Sequence, residues 1–131
     1  MPDDTPPSAH DPREINHVAT ALARHVPLAA TAALTPPAGQ LSVPAFERSD
    51  LLLKLYAPPG PTDPQTPHTR DELYVVLSGS GRFVNGDTTH AFAPGDVILV
   101  PAGVVHRFVD YTPDFRTWVV FYGPERAAAA P

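Results

Sequence analysis

Two segments of this 131-residue chain carry side chains able to do chemistry. The first runs Pro64-Gln65-Thr66-Pro67-His68-Thr69-Arg70-Asp71-Glu72-Leu73-Tyr74 and continues apolar to Gly79. Along a straight strand the step from His68 to Glu72 spans about 13 Å, too long for both to share an ion. Thr69-Arg70-Asp71 is polar and turn-prone, however, and a bend there brings imidazole and carboxylate together. Glu72 opens an otherwise apolar strand, where a buried carboxylate needs a cation or several donors to offset desolvation. The ordinary alternative is an exposed strand-edge Glu next to a loop His. The second segment, Gly95 to Asp110, is a short apolar run, then Pro101-Ala102-Gly103, then a new strand opening at His106. His106 and Phe108 share a face by the period of two, so the imidazole is placed to enter a barrel mouth. A half-buried His bonded to backbone is the ordinary alternative there.

Elements must hold these side chains. The sequence contains 18 Pro, far above average usage, and each fixes φ and removes a donor, so the chain is not mostly helical. Residues 1–10 read as a flexible tail, and 11–40 as a helical arm and linker. A helix is predicted from Asp11 to Val26, with Asp11 as cap, Pro12 in the first turn, Ile15, Val18, Ala19, Leu22 and Val26 on one face, and Pro27 as its stop. After Leu41 the chain reads as short strands: Asp50–Ala57, Glu72–Ser78, Arg82–Val84, Thr88–Phe92, Val97–Val100, His106–Tyr111 and Thr117–Tyr122. Asn85-Gly86 between two of them is a strong hairpin signal. Seven or eight closely spaced strands predict an all-β sandwich or closed barrel over 41–123, followed by a small-residue tail, 124–131.

Composition narrows the function. Without Cys, a metal must be held by His, carboxylate, amide or water. A net charge of −5 with no basic cluster argues against nucleic acid. No apolar run approaches the roughly 18 residues of a membrane span, and the start lacks a secretory pattern, so the cytoplasm is the expected compartment and a membrane is not an expected partner.

The two segments together resemble the cupin family. Gly95, Pro101, Gly103 and His106 match its second motif, G-x5-P-x-G-x2-H-x3-N, with Asp110 in place of Asn. Glu72 and Gly79 match its first, G-x5-H-x-H-x3,4-E-x6-G, with His68 as the second His and Thr66 where the first would stand. The resemblance covers 41–123 and implies a double-stranded β-helix, a jelly-roll-like antiparallel barrel. It also implies one divalent metal ion (Fe, Zn, Ni or Mn) held by His68, Glu72 and His106. Gln65, next to Thr66, is the candidate fourth donor, with water as the alternative. Two His and one carboxylate with open positions form the set that non-haem Fe(II) oxygenases use, and the same donors suit Zn, Ni and Mn. Tyr74 shares the face of Glu72 and is a candidate donor or general acid; a packed aromatic is the bland reading. The expected function is a metal-dependent enzyme acting on a small organic molecule, of oxygenase, lyase or isomerase type. The alternative is a non-catalytic metal- or ligand-binding cupin with a sensing, storage or structural role. Two-sided apolar runs at Leu51–Leu55 and Trp118–Tyr122 predict a homodimer.

Overall fold

Eight antiparallel strands form two sheets in the computed structural model, which describes residues 25–126. They are β1 (Ser42–Arg48), β2 (Leu51–Tyr56), β3 (Asp71–Ser78), β4 (Gly81–Asn85), β5 (Thr88–Phe92), β6 (Val97–Val100), β7 (His106–Val109) and β8 (Arg116–Tyr122). One sheet has the order β1-β2-β8-β3-β6, the other β5-β4-β7. The predicted helix falls outside the described residues except for His25 and Val26, which lie in no helix. Pro27 is the extended N-cap of a single short turn, α1 (Leu28–Ala32). Among the described residues no helix is long and apolar enough to cross a membrane.

Strand β1 lies outside the predicted runs. Pro44 argues against an interior strand, yet it is accommodated where the pairing with β2 slips between Pro44 and Phe46. β7 ends at Val109, short of the predicted Tyr111, because Asp110 turns left-handed at φ 51°. The hairpin forms, but one residue later than an Asn-Gly type I′ turn. Asn85 pairs with Thr88, so Gly86 and Asp87 are the central residues, and only Gly86 has positive φ, 63°, the glycine-first pattern of a type II′ turn.

The register of the larger sheet decides what faces inward. Leu52, Phe121, Glu72 and Val100 make one row across β2, β8, β3 and β6; Lys54, Val119, Tyr74 and Ile98 make the next. These rows meet the aromatic face of the smaller sheet. Phe108 packs 4.6 Å from Phe83, 4.5 Å from Phe115 and 4.9 Å from Tyr74, centroid to centroid, with no exposed surface. Such tilted and edge-on contacts each contribute about 1 kcal/mol beyond simple burial. Gly79 is fixed by geometry: its φ is +80°, and a Cβ there would stand 2.5 Å from the Phe115 Cα. This aromatic cluster abuts the second segment: the His106 ring lies 6.2 Å from both Tyr74 and Phe83, centroid to centroid.

Candidate metal centre

The bend expected between His68 and Glu72 is held by contacts from the second segment. The Gly103 amide donates to the His68 carbonyl at 2.8 Å, and the Ala102 amide donates to Asp71 Oδ1 at 2.9 Å. Gly103 sits at φ 82°, a conformation open to glycine at little cost. The Pro101-Ala102-Gly103 turn therefore clamps the 68–71 loop while launching β7 with His106 at its first position. Arg126 also donates to Asp71, at Oδ2 and 3.1 Å.

His68, Glu72 and His106 converge, each offering one ligand atom, with all three atoms within 4.8 Å of one another. Glu72 Oε2 lies 3.5 Å from His68 Nε2 and 3.4 Å from His106 Nε2. Neither spacing is a good hydrogen bond. Both carboxylate oxygens and both Nε2 atoms are buried and lack any hydrogen-bond partner. Buried polar atoms are normally satisfied, and four unpartnered ones, with one from each residue within 4.8 Å of the others, form a donor set that could hold a metal ion. The residues fit such an ion. His106 Nδ1 lies 2.8 Å from the Val104 carbonyl. A carbonyl only accepts, so Nδ1 carries the proton and Nε2 presents its lone pair to the centre.

Burial sets the charge state of all three groups. Burial pushes the Glu72 carboxyl up to about 7, opposed by the Tyr74 hydroxyl and reinforced by Asp63. Burial, then the neighbouring His106 and Lys54, pushes His68 down to about 4; burial also lowers His106. Desolvation thus favours uncharged imidazoles, the form that binds metal.

Tyr74 is fully buried, and its hydroxyl donates to Gln65 Oε1 at 2.9 Å. Burial, then the adjacent Glu72, holds that hydroxyl protonated well above its ordinary range. Gln65 Nε2 donates to Asp63 Oδ2 at 2.8 Å. Asp63, which the sequence reading did not single out, is the hub. It accepts from Tyr56 Oη, from the Phe108 amide at 2.9 Å and from both nitrogens of Gln65. Its only signal is a carboxylate among prolines, which periodicity cannot interpret. Thr66 lines the cavity that opens outward from this group, a space of about 470 Å³ bordered also by Gln65, His68, Lys54, Tyr56 and Phe121. Arg107 and His90 face solvent, as their strand positions imply.

Two facing antiparallel sheets with a mixed imidazole–carboxylate cluster at one open end define a cupin barrel. Residues 54–119 match the family described as Cupin domain, and the chain belongs to that family. An uncharacterized protein of Streptomyces coelicolor is 47% identical over 66 residues, 50% of this chain and 63% of that protein. Acireductone dioxygenase of Drosophila melanogaster is 39% identical over 62 residues, 43% of this chain and 33% of that protein. The chain thus spans less than two thirds of either relative. A conserved protein with a double-stranded β-helix domain from Klebsiella pneumoniae superposes with a TM-score of 0.62 at 22% identity, covering 82% of this chain and 98% of that one. A cupin superfamily protein from Desulfitobacterium hafniense gives 0.55 at 21% identity, covering 77% and 92%. At these identities the structures establish the fold.

Proposed function

We propose that this chain is a metal-dependent enzyme acting on a small organic molecule in the barrel mouth, with His68, Glu72 and His106 as ligands to one divalent ion. The observation that carries the reading is the convergence of one ligand atom each from His68, Glu72 and His106 within 4.8 Å, at buried atoms that lack hydrogen-bond partners. Three protein ligands leave positions for water or substrate, the pattern of a catalytic centre. Gln65 is the candidate for a fourth: its carbonyl oxygen accepts from Tyr74 and keeps one lone pair for an ion. An ion held there supplies Lewis acidity towards a bound oxygen, and iron adds redox chemistry with dioxygen.

The chain's own residues supply the rest. His106 is oriented by the Val104 carbonyl, and Glu72 is held dry at the head of β3. Tyr74, kept protonated beside Glu72, spends its hydroxyl hydrogen on Gln65 Oε1 and so positions that amide. The local similarity to acireductone dioxygenases supports oxygenase chemistry among the three types, with Fe, Zn, Ni and Mn all compatible with the donors. Thr66, at the first-His position of the family motif, favours a second reading: a cupin that binds a metal or small ligand without turnover. We further infer a homodimer, formed through the outer face of the larger sheet, where Val97 and Leu99 are 60% and 52% exposed beside Leu73, Val75, Trp118 and Val120.

The test is metal analysis of protein purified without chelator or nickel resin. About one equivalent is expected in the wild type and none in the His68→Ala/His106→Ala double variant; retained metal in the double variant places the ligands elsewhere.

A further inference from the structure

We propose that the cavity beside this centre binds an organic anion, with Lys54 contacting the negative group at the end of the ligand remote from the ion. The inference rests on the reading of His68, Glu72 and His106 as metal ligands and goes further, to the charge of what binds there.

Lys54 is the one lysine in a chain with eight arginines. It interrupts the apolar run Leu51-Leu52-Leu53-Lys54-Leu55-Tyr56 at an inward position. Across the sheet it stands in the same row as Tyr74, with Val119 between them. Strand spacing therefore sets their backbones only about 10 Å apart. The Lys54 ammonium lies over the Phe121 ring, 5.9 Å from its centroid, and the His68 imidazole meets the same ring edge-on at 5.0 Å. Lys54, Phe121 and His68 thus form a continuous wall of the 470 Å³ cavity. Among the described residues no carboxylate comes within 4.0 Å of this ammonium. Burial lowers its pKa, with Glu47 opposing. A half-buried ammonium without an ion pair gains from an anionic partner what it has lost in hydration. An open metal position and a cation on the same cavity wall, separated by the Phe121 ring, suit a ligand with oxygen donors at its head and a carboxylate at its tail. Arg70, Glu47 and Glu125 also line the space; Glu125 is engaged by the Thr69 hydroxyl at 3.0 Å, and Glu47 on the neighbouring strand is the carboxylate an entering anion must outcompete for the ammonium.

The test uses the full chain loaded with Co(II), whose absorption reports ligands entering the metal's open positions. The probes are acetohydroxamate and succinic monohydroxamate, which chelate alike and differ by a carboxylate tail. Wild type is expected to bind the tailed probe at least about tenfold more tightly, the scale of one charge-assisted contact. In Lys54→Met that preference disappears while acetohydroxamate affinity stays unchanged, and in Lys54→Arg the preference returns. Cobalt uptake without a tail preference overturns the anion assignment and leaves the metal reading standing. A preference that survives Lys54→Met but is lost in Arg70→Met overturns the assignment to Lys54. Failure of the wild type to take up cobalt overturns the metal reading, and this inference with it.

Discussion

Replacing Glu72 by Gln tests whether the centre is built for an ion at the expense of the empty fold. The carboxyl is 1% exposed and titrates near 7 in the folded chain against 4.5 in its unperturbed state. Its folded pKa is raised, so its contribution to stability is complete below pH 4.5 and is lost as pH climbs through 7. Above that the penalty levels off at about 3 kcal/mol. The imidazole of His68 runs the other way: its folded pKa is depressed to about 4, and stability is lost as pH falls from 6.5 through 4. At pH 8 both histidines are neutral in folded and unfolded chains alike, which isolates the carboxylate. Urea denaturation in EDTA at pH 8 should find Glu72→Gln more stable than wild type by about 2 kcal/mol, since the amide keeps some unsatisfied polarity of its own. At pH 4.5 the gain should vanish. Saturating zinc should raise the wild-type midpoint, by ligand linkage, and leave the variant unmoved. An unchanged or less stable variant in EDTA at pH 8 would refute the claim that Glu72 is an uncompensated buried charge.

Other expectations follow from the same geometry. Metal binding at pH 6 should release about one proton, from Glu72, and close to none at pH 8; calorimetry in buffers of different ionisation enthalpy reads this directly. Asp63→Ala strips the acceptor from Tyr56, Gln65 and the Phe108 amide and should cost about 3 kcal/mol by denaturant titration, whereas Gln65→Ala should cost less and lower metal affinity only if its carbonyl is a ligand. Gly79→Ala forces a Cβ against the Phe115 backbone at positive φ and should destabilise by about 3 kcal/mol, seen as a lower Tm. Leu99→Glu on the outer sheet should give a monomer in sedimentation velocity where wild type sediments as a dimer.

Much of the fold is legible in the residues, for reasons that can be named. Aromatic and branched runs mark seven of the eight strands, and Asn85-Gly86 announces its hairpin. β1 is hidden because Pro44 disqualifies a strand interior unless a bulge absorbs it, and a bulge is a property of the pairing. The centre is legible where motif spacing constrains it: the polar step between His68 and Glu72 bends as its composition implies, and the glycine turn before His106 supplies the clamp. Asp63 is illegible because its partner Phe108 is 45 residues away, a contact that topology alone creates. Lys54 carries a signal of the same kind as Glu72, a charge in an apolar strand. With leucines on both faces of β2, alternation cannot tell which side it takes; the register with β8 decides.

The most direct measurement is anomalous diffraction at the absorption edge of the metal retained by protein purified without chelator. The account predicts one peak, about 2.0–2.2 Å from His68 Nε2, His106 Nε2 and a Glu72 oxygen. A peak coordinated by other side chains, or those three donors packed against one another with no density between them, would contradict it.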